Sequence, residues 1–128
     1  MDVTKITPDF EDERGAITDI LRQESIDYVT VITSKKGALR GNHVHKETVQ
    51  YVYVMEGKLK ALSQMSGEPV SMAVLGKGDL IVNVPLESHA FEALEDTTFL
   101  VFTRGPRGGE NYENDTFRLE IPLQNPDA

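Results

Sequence analysis

Short runs of β-branched or alternating residues, each closed by a glycine, proline or acidic turn, are what most restrict the folds open to this chain. The runs fall near 4–7, 16–21, 27–34, 38–45, 49–56, 58–64, 69–75, 79–84, 89–93, 97–103 and 116–121. Turn signals stand between them: Asp12-Glu13-Arg14-Gly15, Lys35-Lys36-Gly37, Glu56-Gly57, Ser66-Gly67-Glu68, Gly76-Lys77-Gly78-Asp79 and the run from Gly105 to Gly109. No stretch has a helical period, apart from a turn expected around Arg22 to Ser25. Many short strands at regular spacing predict an all-β sandwich or barrel. No repeat, low-complexity tract or linker divides the sequence, so one domain over 1–128 is expected, with a loose tail from Gln124 to Ala128.

At 128 residues such a domain can bury a core without staples. The absence of cysteine excludes disulfides and thiolate metal sites. Met1 leads into Asp2, Lys5 and Asp9 rather than an apolar signal region, and no apolar run approaches the roughly 20 residues that cross a bilayer. A cytoplasmic protein without a membrane partner is expected. A formal net charge of -8 argues against a nucleic-acid partner, because phosphate neutralisation needs a basic surface. An anionic small ligand would have to be met by local Arg or Lys.

The segment with most chemistry runs Gly37-Ala38-Leu39-Arg40-Gly41-Asn42-His43-Val44-His45-Lys46-Glu47-Thr48-Val49-Gln50 and continues as Tyr51-Val52-Tyr53-Val54-Met55-Glu56-Gly57. Alternation on a strand puts His43 and His45 on one face, about 7 Å apart, with Asn42, Val44 and Lys46 on the other. That suits two ligands on one ion or two groups flanking one substrate. In the next run Gln50, Val52 and Val54 share a face, while Tyr51, Tyr53 and Met55 share the opposite one. A barrel strand apolar on both faces needs cover outside, from a second sheet or another subunit, and a homodimer is expected on that ground.

These residues resemble the two motifs of the cupins. The first motif, a glycine, five residues, His-x-His, a glutamate and a distal glycine, is matched from Gly37 through His43, His45 and position 50 to Gly57, with Gln50 in place of the glutamate. The second is similar to Gly78-Asp79, Pro85 and His89, with the proline one place late and Ala93 where the motif has asparagine. The resemblance spans 37–57 and 78–93. It implies a double-stranded β-helix, the jelly-roll barrel, with His43, His45, Gln50 and His89 as a metal-ligand set. Three neutral imidazoles with a carboxylate leave a divalent ion at net +1, but with an amide at +2. Binding should therefore weaken and Lewis acidity rise. The ion could be zinc, nickel, manganese, iron or copper, or there is none and the histidines act directly as acid and base.

Arg40-Gly41-x-His43-x-His45-Lys46 followed by Gln50, with Asp12-x-Arg14-Gly15 upstream, also resembles the cupin sugar-nucleotide enzymes. The likeness is nearest to dTDP-4-keto-6-deoxyglucose 3,4-ketoisomerases and related epimerases. It implies a nucleotide-linked sugar as ligand, with His43 and His45 catalytic and Arg40 on a phosphate; Tyr53 joins Arg40 as a substrate-binding candidate. Moving a keto group between neighbouring sugar carbons needs a proton removed beside a carbonyl and returned, which near-neutral bases can do. The region around Pro85 to Phe91 reads instead like the second motif of metal cupins and sugar epimerases. The alternative function is a metal cupin with oxygenase-like or lyase-like activity, or a non-catalytic small-molecule binder.

Plainer roles stand beside these. Gln50 could only orient a histidine, His89 could be a satisfied core residue, Tyr51 and Tyr53 could be packing or interface residues, and Arg40 could be a surface charge. Arg104-Gly105-Pro106-Arg107-Gly108-Gly109 reads as a loop, and the sequon Asn114-Asp115-Thr116 as coincidence. Glu110, Glu113, Asp115 and Glu120 are expected to form a solvated edge.

Overall fold

A computed structural model describes residues 1–105 and 115–126. The chain runs β1 (Thr4–Lys5), β2 (Phe10–Asp12), β3 (Gly15–Ile17), β4 (Tyr28–Ser34), β5 (Leu39–Val44), β6 (Val49–Glu56), β7 (Lys58–Gln64), β8 (Ser71–Gly76), β9 (Asp79–Asn83), β10 (Ser88–Ala93), β11 (Thr97–Arg104) and β12 (Phe117–Arg118). Two five-stranded sheets, β1-β9-β6-β11-β4 and β12-β5-β10-β7-β8, face each other, and β2-β3 is a separate hairpin. All pairings are antiparallel, and β6 pairs with β9 and β11 rather than with its neighbour β5, so the chain crosses repeatedly between the sheets. This is the expected jelly roll. Among the described residues no helix is long and apolar enough to cross a membrane.

The alternation read from sequence sets the core. Val52 and Val54 are 0% exposed and pack with Leu59, Ala61, Leu75, Ile81, Phe91, Phe99 and Val101 from both sheets. At about 25 cal/mol per Å² of apolar surface, such burial dominates stability. Gly57, at φ +100°, makes the β6–β7 reversal, where a Cβ would stand 2.5 Å from the Asp96 carbonyl oxygen. Only glycine fits there.

Several expected elements differ. The first run shrinks to Thr4–Lys5, the last to Phe117–Arg118, and the run at 16–21 is a strand only over Gly15–Ile17. Its partner Phe10–Asp12 was unread because Asp9, Glu11 and Asp12 interrupt any apolar alternation. Beyond Ile17 the chain leaves the hairpin: the Asp9 carboxylate accepts the Asp19 N–H at 2.6 Å and pairs with the Arg22 guanidinium. No helical turn forms at 22–25, where Gln23 takes a positive φ of 54°. This segment lies beside Val29 and Phe102 on the outside of the first sheet, and Glu24 accepts the Tyr51 hydroxyl at 3.1 Å. Of the loop read at Gly105 to Gly109, residues 106–109 lie outside the described residues, as do Glu110, Glu113 and Asn114.

Candidate functional site

Between the sheets lies a chamber of about 370 Å³. Its apolar wall is Val52, Phe91, Phe99 and Val101; His43, Gln50 and His89 supply polar groups, and Arg40 and Arg118 stand among the lining residues. His43 and His89 are cross-strand partners on β5 and β10. His43, His45 and His89 form a triangle with ring centroids 4.7, 4.6 and 5.3 Å apart, and one ring nitrogen from each lies within 4.8 Å of the others. The structure therefore gathers all three histidines, with His43 lining the chamber and His45 buried behind it.

A bulge positions Arg40. Strict alternation would put it opposite His43, but the β5–β10 register shifts, so that His43 pairs with His89 while Arg40 pairs with Phe91. Gly41 and Asn42 absorb the extra residue at φ of 89° and 56°. A Cβ on Gly41 would come within 2.9 Å of the His89 carbonyl oxygen. Arg40 Nε donates to Ser34 Oγ at 2.7 Å and its Nη2 to the Thr33 carbonyl at 3.0 Å, which holds the side chain at the β4 edge. Asn42 also ties down the C-terminal segment, accepting Leu119 N–H on its carbonyl and Leu123 N–H on Oδ1, each at 2.9 Å. Beside that anchor Arg118, on β12, pairs with His43. Arg118 escaped the sequence reading because no local pattern marks it.

Asp115 corrects an expectation. Rather than a solvated edge it is 4% exposed, with its carboxylate accepting the N–H groups of Lys46, Glu47 and Thr48 at 3.0, 3.1 and 3.0 Å and the Thr48 hydroxyl at 2.7 Å. Burial pushes the carboxyl up, but these donors outweigh it and hold the group below the usual carboxylate range. Its backbone carbonyl accepts from His45 Nδ1 at 2.7 Å. A carbonyl can only accept, so the proton sits on Nδ1, and Nε2 is the nitrogen that can carry the lone pair. Glu120 is exposed, as expected.

His89 is 2% exposed, and burial, reinforced by the neighbouring His43 and His45, pushes it down to about 3. It is held neutral, as a base or metal ligand must be. The unfolded chain takes up a proton near pH 6.5 that the folded protein refuses until about pH 3. Stability is therefore complete above about pH 6.5 and falls as pH drops through that window. Urea midpoints should decrease from pH 7.5 to 5, and His89→Gln should flatten the dependence; an unchanged slope would contradict a neutral buried His89.

Gln50 lines the chamber as expected. Tyr53 does not. With Gln50, Val52 and Val54 pointing inward, alternation carries Tyr53 to the outer face beside Leu100 and Leu80, away from the chamber.

The jelly-roll barrel with its co-facial histidines gives this chain the cupin fold. Residues 10–117 match the family described as "Polysaccharide biosynthesis C-terminal domain", and the chain belongs to that family. No curated protein matches it. Solved structures with the same fold include the QdtA 3,4-ketoisomerase from Thermoanaerobacterium thermosaccharolyticum, a double mutant in complex with TDP (24% identity, 92% of this chain and 86% of that one, TM-score 0.75). A 3,4-ketoisomerase from Helicobacter canadensis is similar too (18% identity, 91% and 89%, TM-score 0.77). So is dTDP-4-dehydrorhamnose 3,5-epimerase from Sulfolobus tokodaii (20% identity, 88% and 71%, TM-score 0.70).

Proposed function

We propose that this protein is a sugar-nucleotide isomerase or epimerase that moves protons beside a keto group in polysaccharide or deoxysugar biosynthesis. The observation that carries the reading is the placement of imidazoles and two arginines around one chamber of about 370 Å³. Arg40 and Arg118 are suited to a diphosphate, since guanidinium groups pair with phosphate oxygens through directed, charge-assisted hydrogen bonds. The sugar then lies toward His43. His43 takes the proton from the hydroxyl-bearing carbon next to the ketone, giving an enediolate; returning that proton to the former carbonyl carbon while the hydroxyl proton passes from the neighbouring oxygen to the former carbonyl oxygen completes a keto shift, and returning it to the opposite face of the original carbon gives epimerisation. No oxidant is consumed. His45, oriented by Asp115, is the second acid–base group. The family match and the sugar-nucleotide enzymes among the structural neighbours agree with this reading.

The test is proton exchange. Incubated in D2O with TDP-4-keto-6-deoxyglucose, a compound bound by a structural neighbour, the protein should place deuterium on the carbon beside the ketone. Absence of exchange at saturating ligand would overturn the assignment. Arg40→Gln and Arg118→Gln should each weaken TDP binding about tenfold or more, as loss of a charge-assisted hydrogen bond implies.

A second reading draws on the same triangle. Nitrogens within 4.8 Å of one another, with His89 neutral and His45 oriented by its Nδ1 hydrogen bond, fit a divalent zinc, nickel, manganese, iron or copper ion, with Gln50 as an uncharged fourth donor. Such an ion would polarise a keto oxygen. Stoichiometric metal in protein purified without added metal would favour it; metal-free protein that still exchanges protons would exclude it as a requirement.

The homodimer belongs to the proposal. Val31 is 63% and Met55 43% exposed on the outer face of the first sheet, beside Leu100 and Tyr53. That apolar face suits a second copy, and a monomer mass by light scattering at micromolar concentration would refute it.

A further inference from the structure

On the inner face of the first sheet, Gln50 is the direct cross-strand partner of Asn83 on one side and Thr103 on the other. Gln50, Asn83 and Thr103 are 7%, 3% and 0% exposed. Asn83 Oδ1 and Thr103 Oγ1 are both buried without a hydrogen-bond partner among the described residues. The other end of the Asn83 amide is committed, donating to Glu87 Oε1 at 3.2 Å, so the oxygen is the end left over. Unmatched oxygens therefore flank the Gln50 side chain on both sides. Cross-strand neighbours stand about 5 Å apart at Cβ, within reach of a glutamine, and an amide nitrogen has two hydrogens to give. A carboxylate at position 50 would have none, and would set its charge between two oxygens. Of the three, only Gln50 lines the chamber.

We propose that Asn83 and Thr103 are positioning residues for Gln50: they draw its amide nitrogen into the wall and turn Oε1 into the chamber, where it accepts a hydrogen bond from a ligand hydroxyl. The inference rests on the sugar-nucleotide reading, in which the sugar ring is the part that offers hydroxyls and the diphosphate is met elsewhere, by arginine. It gives the substitution of an amide for the common glutamate a specific use. An uncharged acceptor favours a hydroxyl over a keto oxygen at that point of the ring, because a keto oxygen would leave both acceptors without a donor.

Thr103→Val removes one flanking oxygen with little change of shape. It should be made in the Gln50 protein and in a Gln50→Met background, and each variant titrated calorimetrically with TDP and with TDP-4-keto-6-deoxyglucose. With Gln50 present, Thr103→Val should weaken the sugar nucleotide about fivefold, as one hydrogen bond implies, and leave TDP within about twofold. In the Gln50→Met background it should have no further effect, since a residue acting through another is silent once that other is gone. Equal weakening in both backgrounds, or none in either, would overturn the positioning role. If Gln50→Met does not fold, Gln50→Leu supplies the background. Failure of the unsubstituted protein to bind TDP at all would sink the sugar-nucleotide reading and this inference with it, whereas normal TDP binding with no Gln50-dependent effect sinks the inference alone.

Discussion

His43→Asn is expected to lower turnover of TDP-4-keto-6-deoxyglucose by about 10²–10⁴-fold, the range for loss of a positioned acid–base group, while TDP affinity stays within about twofold. The size follows from where His43 stands. Of the clustered histidines, His43 and His89 line the chamber, and only His43 is less than fully shielded. His89, pushed down to about 3, takes up a proton poorly at neutral pH. His45 is behind, with Nδ1 committed to the Asp115 carbonyl. Asparagine keeps a polar side chain of similar reach, so binding survives where proton transfer does not. Measuring kcat, KM and TDP affinity together separates the cases: a parallel loss of TDP affinity would mean that His43 holds the nucleotide, and unchanged turnover would remove it from the chemistry.

Asp115→Ala should lower stability by about 3 kcal/mol at pH 7, because its carboxylate is the acceptor for three successive backbone N–H groups and a hydroxyl in the β5–β6 connection. Those donors hold the carboxyl below its usual range, so the stabilisation is complete above about pH 4 and disappears as pH falls through the lowered value. The same connection carries His45, whose tautomer depends on the Asp115 carbonyl. Turnover should therefore fall more than the unfolded fraction accounts for. Asp115→Asn, which turns one acceptor into a donor against the same N–H groups, should destabilise as well. A chemical-denaturation ΔG within about 0.5 kcal/mol of the original for both variants would show that water replaces the carboxylate without cost.

Much of this was legible in the sequence because strands repeat every two residues. Period two placed His43 with His45 and set Gln50, Val52 and Val54 inward, and the glycines at Gly37 and Gly57 marked the ends of the strand pair. The same rule misplaces Arg40, since a bulge adds one residue and changes the face of everything before it; positive φ at Asn42 has no sequence signal strong enough to announce it. Asp115 read as solvated because acidic residues nearly always are, and its burial depends on donors some 67 to 70 positions away.

What the sequence determined alone is the barrel and the co-facial histidines, both products of local alternation and turn chemistry. What only the tertiary structure decided is the composition of the site around them. His89, which in the sequence only the family resemblance had named, joins through sheet register, Arg118 arrives on a C-terminal strand pinned by Asn42, and Asn83 and Thr103 come to flank Gln50 from separate strands. Those neighbours are chosen by long-range pairing, which depends on how the whole chain buries its core rather than on any window of residues.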